Sequence, residues 1–234
     1  MKVLAVDTSG MTASVALAED EKTIAQFSMN HKRTHSEQLL PMIDHMLKTA
    51  LWDMAEIELF AVAKGPGSFT GLRIGIATVK ALAHANGKPV VPVSTLDGLA
   101  ENSFTQGMPI RVCPILDARR SQVYCAVYER GEKIWDDCAV SLEQLLEFLD
   151  GGKTLFLGDG VDVYREAIQK AMGENALFQP EQFRYQNAAS LAKAGLKAFR
   201  NGASQPYYQV EPSYLRVSQA ERERAEKTRG ETRK

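Results

Sequence analysis

The sequence carries no excess of positive charge. Its 28 Lys and Arg stand against 29 Asp and Glu, for a formal net charge of -1 over 234 residues. A protein that grips RNA unaided normally shows a basic excess, because phosphate contacts dominate affinity. Any nucleic acid is therefore expected to be held mainly by a partner, although a local basic patch stays open. Cysteine is scarce as well. Cys113, Cys125 and Cys138 are odd in number and lack Cys-x-x-Cys spacing, which argues against a structural zinc site and for reduced, partly buried thiols in a cytosolic protein. Long apolar runs are missing too: none approaches the roughly 18 residues that a membrane span needs. The start, Met1-Lys2-Val3-Leu4-Ala5-Val6-Asp7, meets a carboxylate too early for a signal-peptide core. The expectation is a soluble, cytoplasmic protein with no membrane partner. With 44% hydrophobic and 24% charged residues, the chain can bury one large core or two small ones.

What is present is a duplicated pattern. Val3 to Asp7 reads as an apolar strand ending in Asp, followed by a polar turn, a second strand over residues 13–18 and a third over 23–27. Residues 112–117 repeat this: an apolar run ends in Asp117, a polar turn follows, and strands are expected over 123–128 and around Ile134 and Trp135. Asp7 matches Asp117 and Glu19 matches Glu129 without a gap. Helical apolar spacing then covers 34–50 in one copy and 141–149 in the other. Each helix is followed by a strand running into glycines, at Gly65 and at Gly158 and Gly160, and then by a second helix, near 72–86 and 161–172. The reading is an α/β fold of two duplicated β-β-β-α-β-α lobes. Lobe one is expected over 1–104 and lobe two over 105–217. A further helix is expected over 187–201, then an extended, Pro-broken stretch over 206–217, then a charged tail of mixed sign over 218–234 that reads as a frayed, solvated helix.

Lobes in this order recur in the actin, Hsp70 and sugar-kinase (ribonuclease H-like) architecture, which grips ATP between them. There the turn after each first strand cradles phosphates, and its carboxylate holds hydrated Mg²⁺. The candidates here are Asp7, Thr8 and Ser9 in the first turn and Asp117 in the second. Both turns suit the task poorly: the first has no second glycine, and the second places Arg119 and Arg120 where a tight phosphate turn wants glycine. A degraded site is the favoured reading, with ATP or ADP possible only at an interface within a complex and no cofactor expected in isolation.

Gly65-Pro66-Gly67-Ser68-Phe69-Thr70-Gly71 follows a strand and opens a helix, the usual setting for anion capture. It misses the dinucleotide fingerprint by one residue, lacks the Lys-Ser/Thr of a P-loop and lacks the glycine spacing of a nucleophile elbow. A tight turn with Ser68 or Thr70 as helix cap explains it equally well. The helix after it is rich in small residues (Gly75, Ala77, Ala81, Ala83, Ala85). The earlier helix is apolar on more than one face, since Leu40 and Met42 fall outside the Leu39, Ile43, Met46 stripe. Such breadth fits either a thoroughly buried helix or one with a second contact. His31 and His35 lie four apart, a two-His metal spacing, but no general base or third ligand accompanies them, and no metal is expected.

The run Ala63-Lys64-Gly65-Pro66-Gly67-Ser68-Phe69-Thr70-Gly71-Leu72-Arg73-Ile74-Gly75 resembles the TsaB (YeaZ) family. Val6-Asp7-Thr8-Ser9, His35-Ser36-Glu37, Val93-Ser94-Thr95-Leu96, Asp117-Ala118-Arg119 and Pro212-Ser213-Tyr214-Leu215-Arg216 extend the resemblance over nearly the whole chain. The resemblance implies a noncatalytic dimerisation subunit of the complex that threonylcarbamoylates the adenosine next to the anticodon of tRNAs reading codons that begin with A. It implies the catalytic paralogue TsaD and the ATPase TsaE as partners, tRNA reached through the complex, and a possible homodimer of the free protein. It also implies a docking bundle of the first two helices, placed here on Leu39, Leu40, Ile43, Met46, Arg73, Ile74, Ala77 and Ala81. The loop 65–71 then becomes the turn that aims the second helix at a partner. A small-molecule kinase or ATPase of the same architecture is the alternative.

Overall fold

The computed structural model describes residues 1–30, 34–103 and 110–216. The expected tail, Val217, His31 and the 104/105 lobe boundary lie outside the described residues.

The first lobe runs β1 (Lys2–Asp7), β2 (Thr12–Glu19), β3 (Lys22–Asn30), α1 (His35–Ala50), β4 (Leu59–Gly65), α2 (Phe69–Asn86), β5 (Val90–Ser94) and α3 (Thr95–Ala100). The second runs β6 (Arg111–Asp117), β7 (Gln122–Glu129), β8 (Glu132–Ser141), α4 (Leu142–Leu149), β9 (Thr154–Leu157), α5 (Gly160–Met172), β10 (Ala176–Phe178) and α6 (Ala188–Arg200). The two sheets share one topology, β3-β2-β1-β4-β5 and β8-β7-β6-β9-β10. In each, the first strand pairs antiparallel with the second and parallel with the fourth. The duplication read from the sequence therefore holds; each lobe gains a fifth strand, α6 is the further helix expected over 187–201, and α3 is a helix that the reading did not include. Pro92 disguised β5, and the sheet tolerates it because β5 is an edge strand.

The central strands of each sheet are buried on both faces. Leu4, Val6, Val15, Leu17, Phe60 and Val62 meet α1 and α2 on one face of the first sheet. The alternate residues Val3, Ala5, Ala16, Leu59, Ala61 and Val93 meet α6 on the other. Period-two alternation puts these sets on opposite sides, so such strands read as continuous apolar runs. In the second lobe, α4 and α5 cover Cys113, Ile115, Val123, Cys125, Val127 and Phe156. The opposite face, Val112, Leu116, Ala126 and Leu157, is covered by Leu96, Leu99 and Ala100 of α3. The lobes thus exchange helices. The expected partition 1–104 and 105–217 is corrected accordingly: α6 belongs to the first lobe's core and α3 to the second's, because each sheet presents two apolar faces and its own helices cover only one.

Candidate functional site

A cleft of about 590 Å³ lies between the lobes, walled by the turn after β1, the loop 65–71, the turn after β6 and residues 213–216. Asp7 ends β1 and is buried. Its Oδ1 accepts from the Ser9 N–H at 2.9 Å and the Ser9 hydroxyl at 2.6 Å. Burial pushes the Asp7 carboxyl above its ordinary range, against the opposing pull of the Ser9 hydrogen bonds and of His35. Thr8 donates its hydroxyl to the Gly71 carbonyl at 2.8 Å. The hydroxyls of this turn are thus committed to internal bonds.

The loop glycines explain themselves against the same turn. A Cβ on Gly67 would lie 2.3 Å from the Ser9 carbonyl oxygen, one on Gly71 2.1 Å from that of Thr8, and one on Gly75 2.3 Å from the Thr8 hydroxyl. Backbone must approach backbone here, and only glycine leaves the space. The Ser68 N–H closes the contact by donating to the Ser9 carbonyl at 2.6 Å. Ser68, rather than Thr70, caps α2, accepting from the Gly71 N–H at 3.2 Å. The helix therefore begins a turn earlier than its apolar spacing indicated. His35 Nε2 hydrogen-bonds the Gly10 carbonyl at 2.9 Å.

The second turn is built differently. Arg119, Arg120 and Ser121 have φ of 63°, 57° and 58°, a left-handed run that side chains adopt only at a cost of about 1–2 kcal/mol each. Asp117 holds it, accepting from the Arg119 N–H at 2.8 Å and pairing with its guanidinium at 3.2 Å. Asp159, which the sequence reading passed over, accepts from the Asp117 N–H at 3.0 Å. Burial, and then the Asp117 charge, push the Asp159 carboxyl up to about 6. The Gly158-Asp159-Gly160 run after β9, the second lobe's counterpart of the glycine loop, was the available signal.

Residues 213–216 strap the cleft. The Ser213 N–H donates to the Lys64 carbonyl at 2.6 Å. Tyr214 stacks on Phe69 at 4.7 Å, and the Arg73 Nε donates to its hydroxyl at 2.9 Å. Arg216 reaches across to the carbonyls of Ala118 and Arg119. Sequence spacing gave no hint of these contacts, in which Arg73 and Tyr214 alone stand 141 positions apart and Lys64 and Ser213 further still.

Of the eight residues assigned to docking, the structure divides the set. Leu39, Ile43 and Met46 are only 1%, 2% and 3% exposed and pack in the first lobe's own core. Their assignment to a partner contact is corrected: the i, i+4, i+7 stripe of α1 is what the sheet covers. Met42 joins them at 2%. Leu40 is 53% exposed. Arg73, Ala77 and Ala81 follow one another at i, i+4, i+8 on the exposed side of α2, with Ile74 half-buried.

Residues 22–224 match the family model described as TsaD, tRNA N6-adenosine threonylcarbamoyltransferase. The tRNA threonylcarbamoyladenosine biosynthesis protein TsaB of Bacillus subtilis is 31% identical over 94% of this chain and 96% of its own. TsaB of Escherichia coli is 39% identical over 58% of each chain. Among solved structures, YeaZ from Pseudomonas aeruginosa superposes with a TM-score of 0.78 at 29% identity, over 92% of this chain and 99% of that one. The ROK hexokinase from Thermus thermophilus, with a TM-score of 0.50 and 10% identity over 86% of this chain and 100% of its own, shares the fold alone.

Proposed function

The chain belongs to the TsaB (YeaZ) family, with a role in tRNA threonylcarbamoyladenosine biosynthesis, and from that premise we propose that it is the noncatalytic, activating subunit of the transferase complex. The observation that carries this reading is the packing of Gly67, Gly71 and Gly75 onto Thr8 and Ser9. In a phosphate-gripping relative of this architecture the first turn offers its N–H groups and hydroxyls to a ligand. Here the loop packs on the turn's carbonyls, the Thr8 hydroxyl goes to Gly71 and the Ser9 hydroxyl to Asp7, so the turn serves as the seat of α2. On this reading the cleft wall positions a docking helix instead of taking part in phosphoryl chemistry.

The partner surface is the exposed side of α2, with Arg73, Ala77 and Ala81, together with Leu40 on α1. Small side chains let a facing helix approach closely, and Leu40 supplies an apolar anchor. The occupant is the catalytic paralogue TsaD, with the ATPase TsaE joining the pair and tRNA held through the assembly. Free protein pairs with itself through the same face, and any ATP or ADP sits at the interface of the complex. The setting is the cytoplasm; among the described residues no helix is long and apolar enough to cross a membrane.

Mixing the purified chain with its catalytic paralogue should yield a heterodimer on size exclusion and restore tRNA modification. Full-rate modification in the absence of this chain would defeat the proposal. ATP hydrolysis by the isolated protein, abolished by Asp7→Ala, would move the reading to the kinase or ATPase alternative.

A further inference from the structure

Cys125 on β7 and Cys138 on β8 stand directly opposite each other in the antiparallel register. Their Sγ atoms are 3.5 Å apart. Opposed residues of such a pair have Cα atoms about 4.5–5.5 Å apart, inside the span of about 4.4–6.8 Å that a disulfide bridges. The register shifts between Cys125 and Val127, so the ladder is interrupted beside the pair and β8 has room to adjust. Cys125 is buried and Cys138 only partly so; a reagent can reach one sulfur while the other waits in the core. The hydrogen bond from Cys125 holds the Cys138 thiol below its ordinary range, against burial and the charges of Asp137 and Asp136. That favours Cys138 as the thiolate nucleophile.

The neighbour of Cys138 is Asp137, which accepts from the Ser94 hydroxyl at 2.5 Å and from Lys133 at 2.7 Å. Lys133 also pairs with Asp97 at 2.7 Å, and Asp97 accepts from the Tyr128 hydroxyl at 2.6 Å. Ser94 and Asp97 come from β5 and α3, whereas Tyr128, Lys133 and Asp137 come from β7 and β8. This network joins the two halves of the chain one residue away from the thiol pair.

We propose that Cys125 and Cys138 form a reversible dithiol–disulfide site whose closure shifts Asp137 and loosens the network that ties α3 to the second lobe. The oxidant is a low-molecular-weight disulfide. The Cys138 thiolate attacks one of its sulfurs, the reagent's S–S bond breaks, and one thiolate leaves. Cys125 then gives up its proton to that thiolate or to water, and its sulfur attacks the Cys138 sulfur, releasing the second thiol. The protein loses two electrons and two protons in total, and the reagent gains them as two thiols.

The test is incubation of the full-length protein with oxidised glutathione, followed by thiol counting, peptide mapping and hydrogen exchange. Loss of two of the three thiols, with a 125–138 cross-link that dithiothreitol reverses and that Cys113→Ser retains, is the expected result. Amides of α3 should then exchange several-fold faster, and Cys138→Ser should make that exchange insensitive to the oxidant. A stable glutathione adduct on Cys138 beside a free Cys125, a bridge to Cys113, or no reaction would overturn the site. A complete 125–138 cross-link with unchanged α3 exchange would overturn its coupling to the lobes.

Discussion

A methyl group on Gly71 would sit 2.1 Å from the Thr8 carbonyl oxygen, a backbone atom with no rotamer to escape into. Gly71→Ala must therefore push α2 off its seat. Overpacking of this kind costs about 1–3 kcal/mol, and urea unfolding should show a loss at the upper end of that range. Asp159 tests the opposite turn through pH. Its carboxyl is raised to about 6 in the folded protein from an ordinary 3.8. Between those values the native state binds more protons than the unfolded chain, so stability falls as pH rises from 4 toward 6 and is flat beyond. The span amounts to at most about 3 kcal/mol by proton linkage, less for the part of the group that meets solvent. Asp159→Asn keeps an acceptor for the Asp117 N–H and removes the titration. Unfolding curves at pH 4.5 and pH 7 should differ less for this variant than for the parent, and an equal difference would contradict the assignment.

On α1, two adjacent leucines should respond in opposite ways. Leu39 is 1% exposed and Leu40 53%. Leu39→Glu places a carboxylate in the first lobe's core, a desolvation that the lobe cannot offset, and loss of the folded circular-dichroism signal is expected. Leu40→Glu leaves the core untouched. Its stability should change by no more than about 0.5 kcal/mol, as for other surface substitutions, while the heterodimer proposed with the catalytic paralogue should be lost from size exclusion. Retention of that heterodimer would remove Leu40 from the docking face. The sequence showed both that α1 is helical and that its apolar residues are too many for one stripe. It did not show which of them the sheet would take, because a helical period ranks faces relative to one another without saying what lies opposite each.

The exchange of α3 and α6 makes the molecule one folding unit. Leu191 is fully buried between α6 and the first sheet, so Leu191→Ala should cost about 2–5 kcal/mol. That loss should appear within a single unfolding transition monitored by probes in both lobes; two separated transitions would show the lobes to be independent. For the same reason residues 1–104 expressed alone would leave Val3, Ala5, Leu59, Ala61 and Val93 uncovered, an apolar sheet face that binds hydrophobic dye or aggregates. A soluble, dye-silent fragment would refute this.

The sequence by itself determined the elements and their duplication. Strand alternation, helix spacing and glycine punctuation are local properties, and they placed β1, β2, α1 and the Asp7 and Asp117 turns where they are found. The family resemblance was legible too, in the glycine run from Gly65 to Gly75. Only the tertiary structure decided what those features touch. It assigned α6 to the first sheet, turned Leu39, Ile43 and Met46 inward, and spent the glycines of the loop on Thr8 and Ser9. It also brought Asp159 under Asp117 and Cys125 against Cys138. The physical reason is the same in each case: periodicity fixes a residue's direction within its own element, whereas contact depends on how elements far apart in the chain share buried surface.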